Sequence, residues 1–290
     1  MSSLSQDYRL IITQTATTDP QVNIEDYIYL FDNISESAID KFYKSTRDII
    51  IEVNNNIEKY DTSSWLGCYS LLAIISATEN YVREILKDII LVCPISQSKI
   101  KNEKTVRLSS AIWNTKEDLV RILYEDISFS SSSTIKAKFK DLLEIKVFDG
   151  STYNSLFKSF DLVCNLRHSI IHADRIIAGK NAVDVSLNKK DSRAFLKIKS
   201  AELNSILSIC TNLVLTINGL LFCEMLERWK EKWRNNNTIE VWIPRSVHEE
   251  KQMLDTIYKM FFSKIDFDSG LIGSEYNLST EQLYEKLKAE

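Results

Sequence analysis

The stretch that decides the fold spans residues 65–93 and reads WLGCYSLLAIISATENYVREILKDIILVC. Its first half is apolar nearly all round, and its second half carries an apolar stripe at helical spacing. Thr62, Ser63 and Ser64 offer helix-capping side chains in front of it. Pro94 stands where the helix is expected to stop. The stretch therefore predicts a central helix surrounded by other elements.

The composition favours helices for those other elements as well. Only 6 Gly and 3 Pro occur among 290 residues, which is too little turn chemistry for a many-stranded fold. At 44% hydrophobic residues the chain can bury a large core. The fold class we predict is mainly all-α.

Several features favour a cytoplasmic protein. The first residues, MSSLSQDYRLIITQ, lack the basic and apolar regions of a secretory signal. The longest apolar run, residues 206–222, is interrupted by polar side chains and predicts a buried helix rather than a membrane span. No CxxC occurs, and five cysteines in apolar runs are expected to be buried, reduced thiols: Cys68, Cys93, Cys164, Cys210 and Cys223.

Helical patterns recur along the whole chain. Further helices are expected over residues 24–60, 104–127, 135–147, 153–177, 201–233 and 248–265, with another from Ser279. Residues 182–187 and 194–199 alternate in polarity and predict a small β-hairpin. The serine-rich run at residues 128–133 predicts a mobile loop. We expect an N-terminal tail and helix (1–61), a helical core (62–233) and a C-terminal helical extension (234–290).

The segment YNSLFKSFDLVCNLRHSIIHADRII, residues 153–177, carries the clearest chemical signal. Arg167 and His172 are five positions apart, which separates them by about 140° around a helix. His168 and His172 are four apart and share a face. Apolar residues on the other side would fix the helix against its neighbours. The polar groups would then lie together at one edge of a packed helix.

These residue types suit the cleavage of RNA by attack of a 2′-hydroxyl on the adjacent phosphorus. An imidazole can take up or release a proton at neutral pH. A guanidinium can donate paired hydrogen bonds to phosphate oxygens as negative charge develops on them. One Arg and one His supply only half of the groups that separate acid and base roles require.

The arrangement Arg167-x4-His172, with polar His168 directly after the arginine, resembles the motif of the HEPN superfamily. The resemblance implies a helical bundle that dimerises so that two copies of the motif face one cleft. It implies a metal-independent endoribonuclease without cofactor, of toxin or anti-phage type, with Arg167 and His172 as catalytic residues. Supporting roles are expected for His168, Ser169, Glu79 and Asn80. Any antitoxin or defence partner would be a separate molecule.

Two departures from the family pattern stand out. Many members have Asn or Asp at the position of His168, which leaves the role of this residue open. The chain also lacks the Gly-Ser and paired Asp residues of a fused nucleotidyltransferase.

A net charge of −4 provides no general attraction to nucleic acid, so RNA binding would need a local basic patch. Basic residues cluster after the motif, on and around the predicted hairpin: Lys180, Lys189, Lys190, Arg193, Lys197 and Lys199. An ordinary solvated hairpin would show the same charge run.

Other interpretations of the motif remain open. Arg167 would pair with Asp161 or Asp174 if it were an ordinary surface residue. His168, His172 and Asp174 also have metal-ligand spacing, although the chain offers only one further histidine. A non-catalytic HEPN-like bundle that binds a nucleotide or a protein partner, or a plain helical interaction domain, would fit the same helical pattern. The tryptophans near the C-terminus are expected to anchor that segment to the bundle: Trp229, Trp233 and Trp242.

Overall fold

The computed structural model describes residues 22–28, 36–103, 112, 115–146, 148, 153–184, 187, 194–233, 246–273 and 277–289. The chain divides into two units, residues 1–35 and 36–290. The first unit contains a short 3-10 helix, Ile24–Tyr27, where the sequence predicts the start of a long α-helix.

The described part of the second unit is helical apart from one small antiparallel sheet. In chain order the elements are α1 (Ala38–Asn55), α2 (Ile57–Thr62), α3 (Leu66–Val92), α4 (Pro94–Glu103), α5 (Lys116–Ile122), α6 (Ser132–Leu143), α7 (Asn154–Ala173), β1 (Ile176–Ile177), α8 (Gly179–Asp184), β2 (Ala194–Phe195), α9 (Ser200–Glu227), α10 (Val247–Phe261), α11 (Lys264–Asp268) and α12 (Thr280–Ala289). A π-helical turn, Arg228–Trp233, continues α9. The mainly all-α prediction is confirmed.

The central element is α3, as the opening stretch predicts. It packs against α1, α9, α7, α6, α5 and α10. Most of its apolar residues are buried, with Leu71, Ile75, Val82 and Ile85 fully inaccessible, whereas Leu66 and Tyr69 in its first turn are exposed. Helices α1 and α10, which lie outside the expected core of residues 62–233, also contact α3. The helices on both sides of these two boundaries therefore belong to one compact unit.

The second long helix, α9, is buried on one side only. It packs against α3, α7 and α10 through residues such as Leu213, Val214 and Ile217. Among the described residues, Ser200–Lys230 is long and apolar enough to cross a membrane by length and composition, and 33% of its most apolar window is buried. Leu215 is 41% exposed and Cys223 is also exposed. One face of the helix is buried as predicted, whereas the prediction of a buried Cys223 is wrong because this residue lies on the outer face.

Three aspartates satisfy the free N–H groups at the starts of helices that are distant in sequence. Asp40 accepts from Lys264 N–H (3.0 Å) at α11, and Asp61 accepts from Ser200 N–H (3.0 Å) at α9. Asp161 accepts from Ser132 N–H at 2.7 Å at α6. The hydrogen bonds from Ser200 hold the pKa of Asp61 below its usual value. These hydrogen bonds tie the start of α11 to α1, the start of α9 to α2 and the start of α6 to α7.

The small hairpin is present, and its second strand begins at Ala194 as predicted, but its first strand lies earlier than predicted. Ile176 and Ile177 pair with Phe195 and Ala194, whereas residues 182–184 belong to α8. The helix before it ends at Ala173 because Asp174 and Arg175 adopt left-handed backbone conformations, with φ of 46° and 68°. The two residues that follow are therefore extended, although the sequence predicts helix to residue 177.

The serine run forms a loop over residues 128–131, as predicted, but its last two residues already belong to α6 and the loop is packed against the core. Phe129 is fully buried, and Ser131 caps α6 by accepting from Thr134 N–H at 3.2 Å. Pro94 likewise ends α3 but begins α4, because proline is tolerated in a first helical turn. The N–H of Asp118 donates to Oγ1 of Thr115 at the start of α5, and the N–H of Gln282 donates to Oγ of Ser279, where the sequence predicts the last helix to begin.

Candidate active site at the end of α7

The motif occupies the last two turns of α7. Phe157, Phe160, Val163 and Ile170 on this helix are buried in the core. The carbonyl of Ser169 accepts from the N–H groups of both Asp174 and Arg175, which fixes the C-terminal end. The polar residues are thus held at a rigid helix terminus.

Arg167 is half-buried and directed towards α3. Its Nη2 lies 3.7 Å from Oε1 of Glu79, and its Nη1 donates to Oγ of Ser130 at 3.4 Å. Glu79 is buried and also contacts Arg83, whose Nη2 is 3.7 Å away. Arg167 therefore joins a network with Glu79, not the surface pair with Asp161 or Asp174 that an ordinary role predicts. Asp161 is instead engaged at the start of α6.

The serine run completes this network. Ser128 donates to Glu79 (3.4 Å) and its Oγ lies 2.7 Å from that of Ser130. The N–H of Phe129 also donates to Glu79 at 3.4 Å. The buried carboxylate is thereby surrounded by donors, and the guanidinium of Arg167 is held against the loop. A run of serines gave no sign of this role in the sequence.

The two motif histidines lie side by side in solvent. The ring centroids of His168 and His172 are 4.5 Å apart with an interplanar angle of 43°. Both side chains are exposed. Arg167 and His172 thus share one helix end but have different surroundings, the guanidinium beside Glu79 and the imidazole in water.

Ser169 and Asn80, for which supporting roles were predicted, lie in different environments. Ser169 is buried, and its Oγ donates to the carbonyl of Asn165 at 3.2 Å. Asn80 is exposed on α3, one position beyond Glu79. Supporting roles for these two residues stay predictions.

The structure describes three of the six basic residues expected to contact RNA. Lys197 and Lys199 are exposed on the extended segment after β2. Lys180 falls within α8, while Lys189, Lys190 and Arg193 lie outside the described residues.

Across the described ranges, no three His, Cys, Asp or Glu side chains are grouped as metal ligands. His168, His172 and Asp174 therefore do not form a three-ligand group in this arrangement.

Arg175 is a feature that sequence reasoning missed. Its guanidinium carbon lies 3.9 Å from the centroid of the Trp65 ring, and its Nη1 donates to the Ser64 carbonyl at 2.8 Å. It ties the end of α7 to the start of α3. Its position only three residues after His172 was the available signal.

Comparison with known proteins finds no matching family model, no matching curated protein and no matching solved structure. The resemblance to HEPN proteins consequently rests on the motif and its helical setting.

Proposed function

We propose that this chain is a metal-independent endoribonuclease of HEPN type, in which Arg167 and His172 are the catalytic residues. The observation that carries the proposal is the end of α7, where an ordered arginine and an exposed imidazole occupy one helix terminus. Glu79 and Ser130 restrict the guanidinium, which reduces the entropy lost when it engages a phosphate.

The chemistry follows from these two groups. An imidazole removes the proton of a 2′-hydroxyl while the 2′-oxygen attacks phosphorus, and the bond from phosphorus to the 5′-oxygen breaks. A second acid donates a proton to the departing 5′-oxygen. The products are a 2′,3′-cyclic phosphate and a 5′-hydroxyl. The guanidinium of Arg167 stabilises the negative charge on the phosphate oxygens.

A second copy of the chain would supply the missing acid or base. Exposed apolar residues occur on α7 and α9, which pack together and present Leu162, Ile171 and Leu215 to solvent. Apolar surface of this kind supports a homodimer in which two α7 termini meet across one cleft.

The proposed activity also implies a biological role. HEPN-type RNA cleavage suggests a cytoplasmic toxin or anti-phage effector. A separate antitoxin or defence-system protein would keep it inactive.

The direct test is an assay of purified protein on single-stranded RNA in EDTA, followed by analysis of the product ends. Cleavage that persists in EDTA and leaves 2′,3′-cyclic phosphates is expected. An RNA-cleaving activity that EDTA removes, or products with other ends, would contradict the mechanism.

One observation favours a second candidate, a non-catalytic bundle that binds a nucleotide or a protein partner. The guanidinium of Arg167 is paired with Glu79 rather than presented beside His172. Nucleotide binding by calorimetry without RNA cleavage would favour this alternative.

A further inference from the structure

Two aromatic side chains stack at the start of α3. The ring centroids of Trp65 and Tyr69 are 5.5 Å apart, with an interplanar angle of 19°. Arg175 lies against Trp65 and holds it in place. Tyr69, one helical turn further on, remains 56% exposed. An ordered and exposed ring of this kind can bind a planar ligand at a low entropic cost.

The extended segment after β2 adds charge and a further aromatic ring. Leu196 and Ile198 are buried, whereas the alternate residues Phe195, Lys197 and Lys199 face solvent. Successive side chains of an extended chain point to opposite sides, so these three share one side. Phe195 is 57% exposed.

The segment after β2 and the start of α3, which carries the aromatic pair, are joined directly and through Arg175 next to the motif. The N–H of Leu196 donates to the Arg175 carbonyl at 2.8 Å, and Nζ of Lys197 donates to the Thr62 carbonyl at 3.5 Å. Gly67 lies so close to the Ile198 carbonyl that a Cβ would not fit. Because Arg175 follows His172 by three residues, the surface begins where the motif helix ends.

The charge on this surface favours an anionic ligand. Asp61 interacts electrostatically with Lys197 and Lys199, but its carboxylate is hydrogen-bonded to both the N–H and the hydroxyl of Ser200. Both lysine side chains nevertheless remain exposed to solvent, and the guanidinium of Arg175 adds a further positive charge next to Trp65.

We propose that this surface binds single-stranded RNA and leads it to the end of α7. Exposed rings stack on unpaired bases, and ammonium groups follow the phosphates. A duplex offers its phosphates but not its base faces, so single strands are preferred. The proposal rests on the proposed ribonuclease function. The stacking surface consists of Trp65, Tyr69, Arg175, Phe195, Lys197 and Lys199.

The test measures binding by fluorescence anisotropy with a labelled RNA oligonucleotide, single-stranded or annealed to its complement. The full chain carries His172→Ala so that the RNA is not cleaved. Tyr69→Ala and Phe195→Ala are each expected to raise the Kd for single strands at least about fivefold. Tyr69→Phe, which keeps the ring, should bind like the parent. Leu271→Ala, at an exposed apolar position on another part of the surface, is the control.

Charge is tested by Lys197→Gln, which should reduce the slope of log Kd against log salt by about one. Lys259→Gln, at an exposed lysine on α10, should leave the slope unchanged.

Unchanged affinity in both Tyr69→Ala and Phe195→Ala, with native circular dichroism, would overturn the stacking surface even if the wild type cleaves RNA. Tighter binding of the duplex would overturn it too, as would loss of the dimer in Tyr69→Ala without any change in RNA affinity. If the wild type binds RNA through Tyr69 but does not cleave it, the stacking surface is supported and the proposed ribonuclease function is wrong.

Discussion

At the scale of single residues, Arg167 and His172 lie at the same helix end but in different environments. Arg167 is fixed by contacts with α3 and the serine run, and His172 projects into solvent. Sequence spacing gives the 140° separation but not the partner of the guanidinium. That partner depends on how α3 and α7 pack, and a carboxylate 88 positions away along the chain cannot be chosen from spacing.

Glu79 is expected to matter because it orients Arg167. Glu79→Gln removes the charge that attracts the guanidinium, and a small misplacement of a catalytic group costs about tenfold to a hundredfold in rate. Steady-state kinetics on RNA should show this loss in kcat with little change in KM. Glu125→Gln, at an exposed carboxylate, is the control. An unaltered kcat despite a lower melting temperature would leave Glu79 with a purely structural role.

At the scale of helices, the close contact between Gly67 and the segment after β2 could not be predicted from the sequence. Gly67 approaches the Ile198 carbonyl so closely that any Cβ would force α3 and the segment after β2 apart. Gly67→Ala is therefore expected to lower the free energy of unfolding by about 1–3 kcal/mol. The measurement is urea denaturation followed by circular dichroism.

Gly219 provides the matched control on α9, since a Cβ there meets nothing within 4 Å. Gly219→Ala should stabilise the helix by about 0.5–1 kcal/mol. Equal effects of the two substitutions would show that the close approach at Gly67 has no energetic weight.

A cluster of charges joins α1, α3 and α5 around Glu84. Burial pushes the pKa of Glu84 up, but hydrogen bonds from Lys41 and Lys87 outweigh this and hold it below its ordinary value. Lys41 Nζ is 2.7 Å from the carboxylate, Lys87 Nζ is 3.0 Å away, and Arg121 pairs with the other oxygen. A carboxylate with a lowered pKa stabilises the folded state above its unfolded pKa, and this stabilisation is lost as the pH falls through the folded value.

Glu84→Gln should consequently lower the free energy of unfolding at pH 7 by about 1–3 kcal/mol. The difference from wild type should shrink as the pH falls below about 4.5. Urea unfolding at several pH values measures it, with exposed Glu58→Gln as control. A difference that grows towards low pH would contradict this assignment.

The predicted helices with clear signals were found, and the errors have physical causes. Capping residues and helical periodicity located α3, α5 and α12 because both are local properties. The hairpin was misplaced because alternation over residues 182–187 is compatible with one short helix as well as a strand. The early end of α7 depends on left-handed Asp174 and Arg175, and Arg175 contacts Trp65 and accepts a hydrogen bond from Leu196, both distant in sequence.

At the scale of the whole molecule, the outer face of α9 is apolar but is not covered by other described parts of the chain. Helical periodicity correctly placed this helix but could not show that one apolar face stays in solvent. A second copy of the chain would cover that face and complete the proposed site.

Leu215→Lys should therefore raise the dimer dissociation constant at least about tenfold, because it introduces a charge into an apolar contact. Analytical ultracentrifugation measures this, and RNA cleavage should fall in parallel. Leu271→Lys, at a more exposed position, is the control. A dimer that tolerates Leu215→Lys would place the interface elsewhere.

The most direct test of the central claim compares His172→Ala with His248→Ala on single-stranded RNA in EDTA. His248 is an exposed histidine on α10 that contacts Gln252, so its removal controls for the loss of an imidazole. We expect His172→Ala to lower kcat at least about a hundredfold while fold and dimer are preserved. His248→Ala should cleave like the wild type. Equal cleavage by both variants would contradict the assignment of α7 as the catalytic helix.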